Sequence, residues 1–182
     1  MGGKDSMSWI QFHMGLAFAY SRKSPDQETK HGCIIVDQNN IPRGFGFNGL
    51  PRGAIDSHLP TTRPDKYPWM FHSEENALAH CEHRPKDCTA FVTGQCCNHC
   101  IYAMWQHGVR RVYMAKRTSH MLSPEDQKWF DEFISETGME VIVIAPDLSW
   151  LTELGEMVAQ RDFYDEDVFS GDKTDEDDRF QK

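Results

Sequence analysis

Trp9, Phe12, Leu16, Ala17 and Tyr20 recur at helical spacing, and with Ser8 as a cap they predict a helix over residues 8–20. A polar turn at 21–30 separates it from Cys33-Ile34-Ile35-Val36, a short continuous apolar run that reads as a buried strand. Residues 37–40 make a turn, and 41–47 form a second strand, the hairpin partner of the first. Residues 48–70 show little periodicity and much Pro and Gly. Loops of that length in a compact domain are usually functional or disordered, and this one runs straight into a histidine motif, so function is expected. Residues 74–82 predict a helix, 89–93 a third strand, 97–107 a helix stopped by Gly108, and 109–115 a fourth strand. Ser123-Pro124-Glu125 opens another helix, with serine as cap and proline in the first turn. A fifth strand at 141–144 and a last helix at 148–159 complete the pattern, which contains no internal repeat.

Strands alternating with helices predict an α/β three-layer sandwich, in which helices flank both faces of a five-stranded sheet. The opening hairpin makes that sheet mixed. Residues 1–7 read as a flexible leader, 8–160 as the folded domain and 161–182 as a mobile acidic tail.

The length of 182 residues suits one core without disulfides or other staples. No apolar run approaches the roughly 18–20 residues of a membrane span, and the start lacks a secretory signal, so a soluble, cytoplasmic protein with no membrane partner is expected. Met1-Gly2 with Ser6 matches a loose myristoylation pattern, but no second membrane signal accompanies it. Cys33, Cys81 and Cys88 are scattered, whereas Cys96, Cys97 and Cys100 crowd together around His99, which points to metal rather than cross-linking. The net charge of −9 lies largely in the tail. Long nucleic acid is therefore a poor partner, while a single mononucleotide needs only a local basic pocket.

The chemistry concentrates in His72-Ser73-Glu74 and Cys97-Asn98-His99-Cys100, each at the start of a predicted helix. A Cys-x-x-Cys pair there can aim both sulfurs at one ion, and unpaired helix N–H groups favour the thiolate. His72, Cys97 and Cys100 make three ligands, as in catalytic zinc sites, leaving a fourth position for water. Zinc acidifies that water, and Glu74 is placed to shuttle protons while hydroxide attacks an aromatic amidine carbon. The order H-x-E followed by C-x-x-C is the signature of zinc deaminases. Two alternatives stay open. Cys-x-x-Cys alone is as often redox or structural, and His99 or Cys96 could close a four-ligand structural site, leaving Glu74 without a role.

The chain resembles the deoxycytidylate (dCMP) deaminase family, in the cytidine deaminase-like zinc superfamily, from about Trp9 to Ile144. Four passages carry the resemblance: residues 30–36, the Gly-x-Asn-Gly-x-Pro-x-Gly loop at 46–53, Lys66-Tyr67-Pro68 leading to residues 72–77, and 97–100. The resemblance implies zinc as cofactor, conversion of dCMP to dUMP, a homo-oligomer such as a hexamer, and regulation by dCTP (activating) and dTTP (inhibiting). It also implies that Asn48 contacts the nucleotide. Arg22, Lys23, Lys30 and Arg52 are candidate phosphate partners. Three departures bear on substrate choice. Cys96 stands where the family usually has proline, Phe47 where it has tyrosine, and the loop at 116–120 lacks the tyrosine often found over the substrate, so His120 is the candidate replacement.

Other features have plainer readings. Asp56 and Arg63 could meet an effector or form a loop salt bridge. His80, Cys81, His83 and Cys88 could make a second metal site, although the region reads as a polar helix end. Trp105, Trp129 and Trp150 are expected in the core or between subunits. Two rival functions remain: a deaminase of another free or nucleic-acid cytosine, and a non-catalytic zinc protein that senses nucleotides.

Overall fold

The computed structural model describes residues 7–54, 58–116 and 121–160, so Asp56, His120 and the tail at 161–182 lie outside the described residues. The elements are α1 (Trp9–Ser21), β1 (Gly32–Val36), β2 (Pro42–Phe47), α2 (Ser73–Ala79), β3 (Cys88–Val92), α3 (Asn98–His107), β4 (Val109–Ala115), α4 (Pro124–Thr137), β5 (Glu140–Ile144) and α5 (Ser149–Gln160). Nearly all begin and end within one residue of the expectation from periodicity. The exception is α2, expected to reach Glu82. It stops at Ala79: the His80 N–H still donates to the Asn76 carbonyl at 3.1 Å, but the Cys81 N–H turns to the Leu78 carbonyl at 3.2 Å, which tightens the last turn. The caps are those the residue types suggested. Ser8 Oγ accepts from Gln11 N at 3.3 Å, Ser123 Oγ accepts from Asp126 N at 3.1 Å, and Gly108 ends α3 at φ 103°.

The sheet order is β2-β1-β3-β4-β5. β1 runs antiparallel to both β2 and β3, while β3, β4 and β5 are parallel, which makes the sheet mixed. β1 is buried along its whole length, and its side chains alternate between two cores. Ile34 and Val36 pack with Met14 and Ala17 of α1, together with Phe91. Cys33 and Ile35 pack on the opposite face with Ala77 of α2, Ile101 and Met104 of α3, and Phe130 of α4. The molecule is thus α1, sheet, then α2 to α4, the three layers predicted. Each buried aliphatic side chain contributes about 1.5–3 kcal/mol.

α2 lies directly on β2, and two glycines allow it. A Cβ at Gly46 would sit 2.0 Å from the Ser73 carbonyl oxygen and 2.4 Å from the Ala77 nitrogen, and one at Gly44 would sit 2.3 Å from the Ala77 oxygen. This contact sets the height of the His72-Ser73-Glu74 passage over the sheet.

The chain divides between Pro146 and Asp147 into two compact units. The first holds the sheet with α1 to α4, and in the second the described element is α5, which carries Trp150. Trp105 packs edge-on against Phe133, as a core residue should. Trp129 instead is 48% exposed, with Lys128 over its ring, so it is no core residue of this chain. No helix among the described residues is long and apolar enough to cross a membrane.

Candidate active site

His72 and Cys97 are the N-caps of α2 and α3, both with extended backbone (φ −75°, ψ 156° and φ −77°, ψ 164°). The His72 N–H donates to Glu75 Oε2 at 2.8 Å, which fixes the entry to α2. Cys100 sits one turn into α3. His72 Nδ1 lies 3.5 Å from Cys97 Sγ and 3.3 Å from Cys100 Sγ, and the three donor atoms fall within 4.8 Å of one another. Zinc binds sulfur at about 2.3 Å and nitrogen at about 2.0–2.1 Å, so a tetrahedral site has S···N edges of about 3.6 Å. The donor set and its spacing fit that ion.

His72 is exposed, Cys97 half-buried and Cys100 buried, so the group opens toward solvent on the histidine side. Neither alternative fourth ligand joins it. Cys96 is fully buried, with its N–H donating to Met114 Sδ at 3.4 Å, a bond that proline at this position could not make. His99 is exposed and faces Glu75 at 3.4 Å. The second suggested metal group does not assemble: among the described residues His72, Cys97 and Cys100 form the one such cluster. His80 Nδ1 instead meets the Phe45 carbonyl at 2.5 Å, and Cys81 Sγ donates to the Ala77 carbonyl at 3.4 Å.

The side chains polarise one another. A hydrogen bond with Cys97, supported by the Glu74 and Glu75 charges, raises His72 to about 9. A hydrogen bond from Cys100, then His72, lowers Cys97 to about 4, while the same bond and burial push Cys100 up. Glu74, only 4% exposed, is raised by burial, against the opposing effect of Ser73 Oγ, which donates to its Oε2 at 2.7 Å. A carboxyl held nearer neutrality is suited to taking up and returning a proton.

A cavity of about 240 Å³ is lined by His72, Ser73, Glu74 and Cys97 together with Asn48, Arg63, Lys66 and Tyr67. Asn48 is therefore placed at the cavity, but its amide is engaged within the chain. It donates to Asp26 Oδ2 (3.0 Å) and the Thr29 carbonyl (2.9 Å), and accepts from His31 N (2.7 Å). Both amide protons are spent, which leaves only the oxygen for a ligand.

None of Arg22, Lys23, Lys30 and Arg52 lines this cavity. Arg22, Lys23 and Arg52 are exposed elsewhere, and Lys30 donates to the Ser24 carbonyl. The lining cations are Arg63 and Lys66, which sequence reasoning had not chosen for that role. Lys66 is 3% exposed and donates to both Asp26 carboxylate oxygens at 2.7 Å, with Glu28 at 3.2 Å. Arg63 reaches Thr29 Oγ1 at 2.7 Å and Glu28 at 3.6 Å. The available signal was Lys66-Tyr67-Pro68, a passage singled out for resemblance and not for charge.

Residues 7–116 match the family described as the cytidine and deoxycytidylate deaminase zinc-binding region. Over 123 residues the chain is 31% identical to the deoxycytidylate deaminase of Homo sapiens, covering 64% of this chain and 69% of that one. The same name and identity hold for the Mus musculus protein. Among solved structures, dCMP deaminase from cyanophage S-TIM5 in apo form is 25% identical with a TM-score of 0.57, covering 74% of this chain and 96% of that one. Its complex with dCMP and dUMP aligns at 24% identity and a TM-score of 0.61, covering 76% and 100%, a likeness of fold.

Proposed function

The chain belongs to the cytidine and deoxycytidylate deaminase zinc-binding family, and from that premise we propose that it deaminates dCMP hydrolytically to dUMP and ammonia. The observation that carries the reading is the His72, Cys97, Cys100 group beside a buried Glu74 on one cavity. Zinc held by the three donors supplies Lewis acidity that makes water a nucleophile near neutral pH. Glu74 then removes a proton from the attacking water as its oxygen bonds to C4, and delivers it to N3. A second proton passes through Glu74 to the amine as the C4–N bond breaks, and ammonia leaves.

Of the two cations on this cavity, Lys66 is committed to Asp26 and Glu28, so Arg63 is the proposed partner for a 5′-phosphate, in preference to Arg22, Lys23, Lys30 or Arg52. Activation by dCTP and inhibition by dTTP are part of the proposal on the strength of the resemblance. So is a homo-oligomer, with a hexamer favoured. Tyr67, Trp69 and Phe71 add support, because three exposed aromatics at alternate positions, with Tyr67 on the cavity, suit a subunit contact.

The test is ultraviolet absorbance of zinc-replete protein with dCMP, deoxycytidine, dCTP and a cytosine-containing oligonucleotide. Loss of the cytosine band with dCMP alone supports both reaction and phosphate requirement. Turnover of another member of the panel moves the substrate assignment, and silence on all four favours the non-catalytic sensor.

A further inference from the structure

Glu74 must present one carboxylate oxygen to the reacting atoms in one orientation, and a glutamate has three side-chain torsions to restrain. Ser73, the first residue of α2, supplies a restraint. Its side chain is fully buried, and its hydroxyl donates to Glu74 Oε2 at 2.7 Å. Adjacent helical residues do not face each other, so this bond is no automatic product of the helix. It depends on where the α2 start is held, and Gly46 holds it by lying against the Ser73 carbonyl.

We propose that Ser73 is a positioning residue for Glu74: by occupying Oε2 it confines the carboxylate to one rotamer and leaves Oε1 to exchange protons with the substrate. Its rate consequence rests on the deaminase reading, whereas its geometric consequence does not. Ser73 touches neither substrate nor metal in this role, so its loss acts on the chemical step and leaves ground-state binding intact.

The experiment compares zinc-loaded wild type, Ser73→Ala and Ser73→Thr for zinc content, melting temperature, kcat and KM for dCMP, Kd for dUMP, and the crystallographic position of Glu74. Ser73→Ala removes one oxygen from a buried site and keeps a good helix former, so it should fold. Losing a hydrogen bond to a charged group should lower kcat about ten- to one-hundred-fold, with KM and the dUMP Kd within about threefold of wild type. Ser73→Thr should restore kcat to within about threefold. In the Ser73→Ala crystal, Glu74 should occupy more than one rotamer. A kcat within about twofold of wild type overturns the proposal, as does a parallel loss of zinc or dUMP affinity, which marks a merely structural role. A Glu74 rotamer unchanged in Ser73→Ala overturns it too. If the extra methyl of threonine does not fit, the alanine variant and its crystal structure decide. A wild type inactive on all four cytosine substrates removes the deaminase reading, and the Glu74 rotamer then still decides the role of Ser73.

Discussion

Gly46→Ala probes the contact that sets the site. The new Cβ would lie 2.0 Å from the Ser73 carbonyl oxygen and 2.4 Å from the Ala77 nitrogen. Both are backbone atoms of α2, so no side chain can rotate away. Even reaching about 3.0 Å requires the helix start to retreat by about 1 Å, and overpacking of this kind costs about 1–3 kcal/mol. His72 and Glu74 travel with that backbone, while Cys97 and Cys100 belong to α3 and stay. The S···N distances of 3.5 and 3.3 Å then no longer suit one ion. A 1 Å misplacement can cost about a hundredfold in rate. Thermal unfolding, zinc retention against a chelator, and dCMP turnover together should show a lower melting temperature, weaker zinc and a kcat down by about that factor. A Gly46→Ala protein with wild-type melting, zinc retention and turnover would refute the close-packed placement of α2.

Glu74→Gln should keep its zinc and lose about 10²–10⁴-fold in kcat, the usual range for a general acid–base, and turnover near wild type would remove Glu74 from the mechanism. Lys66→Met leaves the Asp26 carboxylate without its buried ammonium, which should destabilise by about 3–5 kcal/mol in denaturant unfolding; a loss under about 1 kcal/mol would show the pair to be incidental. Burial pushes Asp26 up, but Lys66 and the N–H groups of Thr29 and Glu28 hold it below its ordinary 3.8. Its contribution is therefore full above that pH and is lost as pH falls through the lowered value, so the destabilisation by Lys66→Met should be largest near neutral pH and shrink in acid. Burial lowers His13, which stacks on Trp9 and meets Phe91 at a tilt, against an opposing pull from Asn40. The unfolded chain then binds a proton that the fold resists, so stability should fall as pH drops below about 6.5, by at most about 1.4 kcal/mol per unit for this group. His13→Phe should reduce that slope, by at most about one proton, and an unchanged slope would clear His13 of the effect.

The metal group was legible because its information is local. His72, Cys97 and Cys100 are ligand types at helix starts, and caps and periodicity place helix starts well. Five strands, and a mixed sheet, followed from short apolar runs and one hairpin, but the order β2-β1-β3-β4-β5 depends on pairings between distant segments that no single run encodes. The cavity cations were hidden for the same reason. Lys66 meets Asp26 across 40 residues, from within a loop lacking periodicity, so charge near the motifs drew attention to Arg22, Lys23, Lys30 and Arg52 instead. Asn48 lies at the cavity, yet a sequence cannot show that its amide protons already have partners. Gly44 and Gly46 read as ordinary strand residues until the α2 backbone is seen against them.

In the proposed reaction the chain converts dCMP to dUMP, with His72, Cys97 and Cys100 as the zinc ligands and Glu74 beside them as proton shuttle. The most direct test is the time course of cytosine absorbance when zinc-replete protein meets dCMP, with ammonia measured in the same sample. The account predicts catalytic loss of the cytosine band with one ammonia released for each dUMP formed. A protein shown to hold zinc that leaves dCMP unchanged, with no ammonia released, would contradict it.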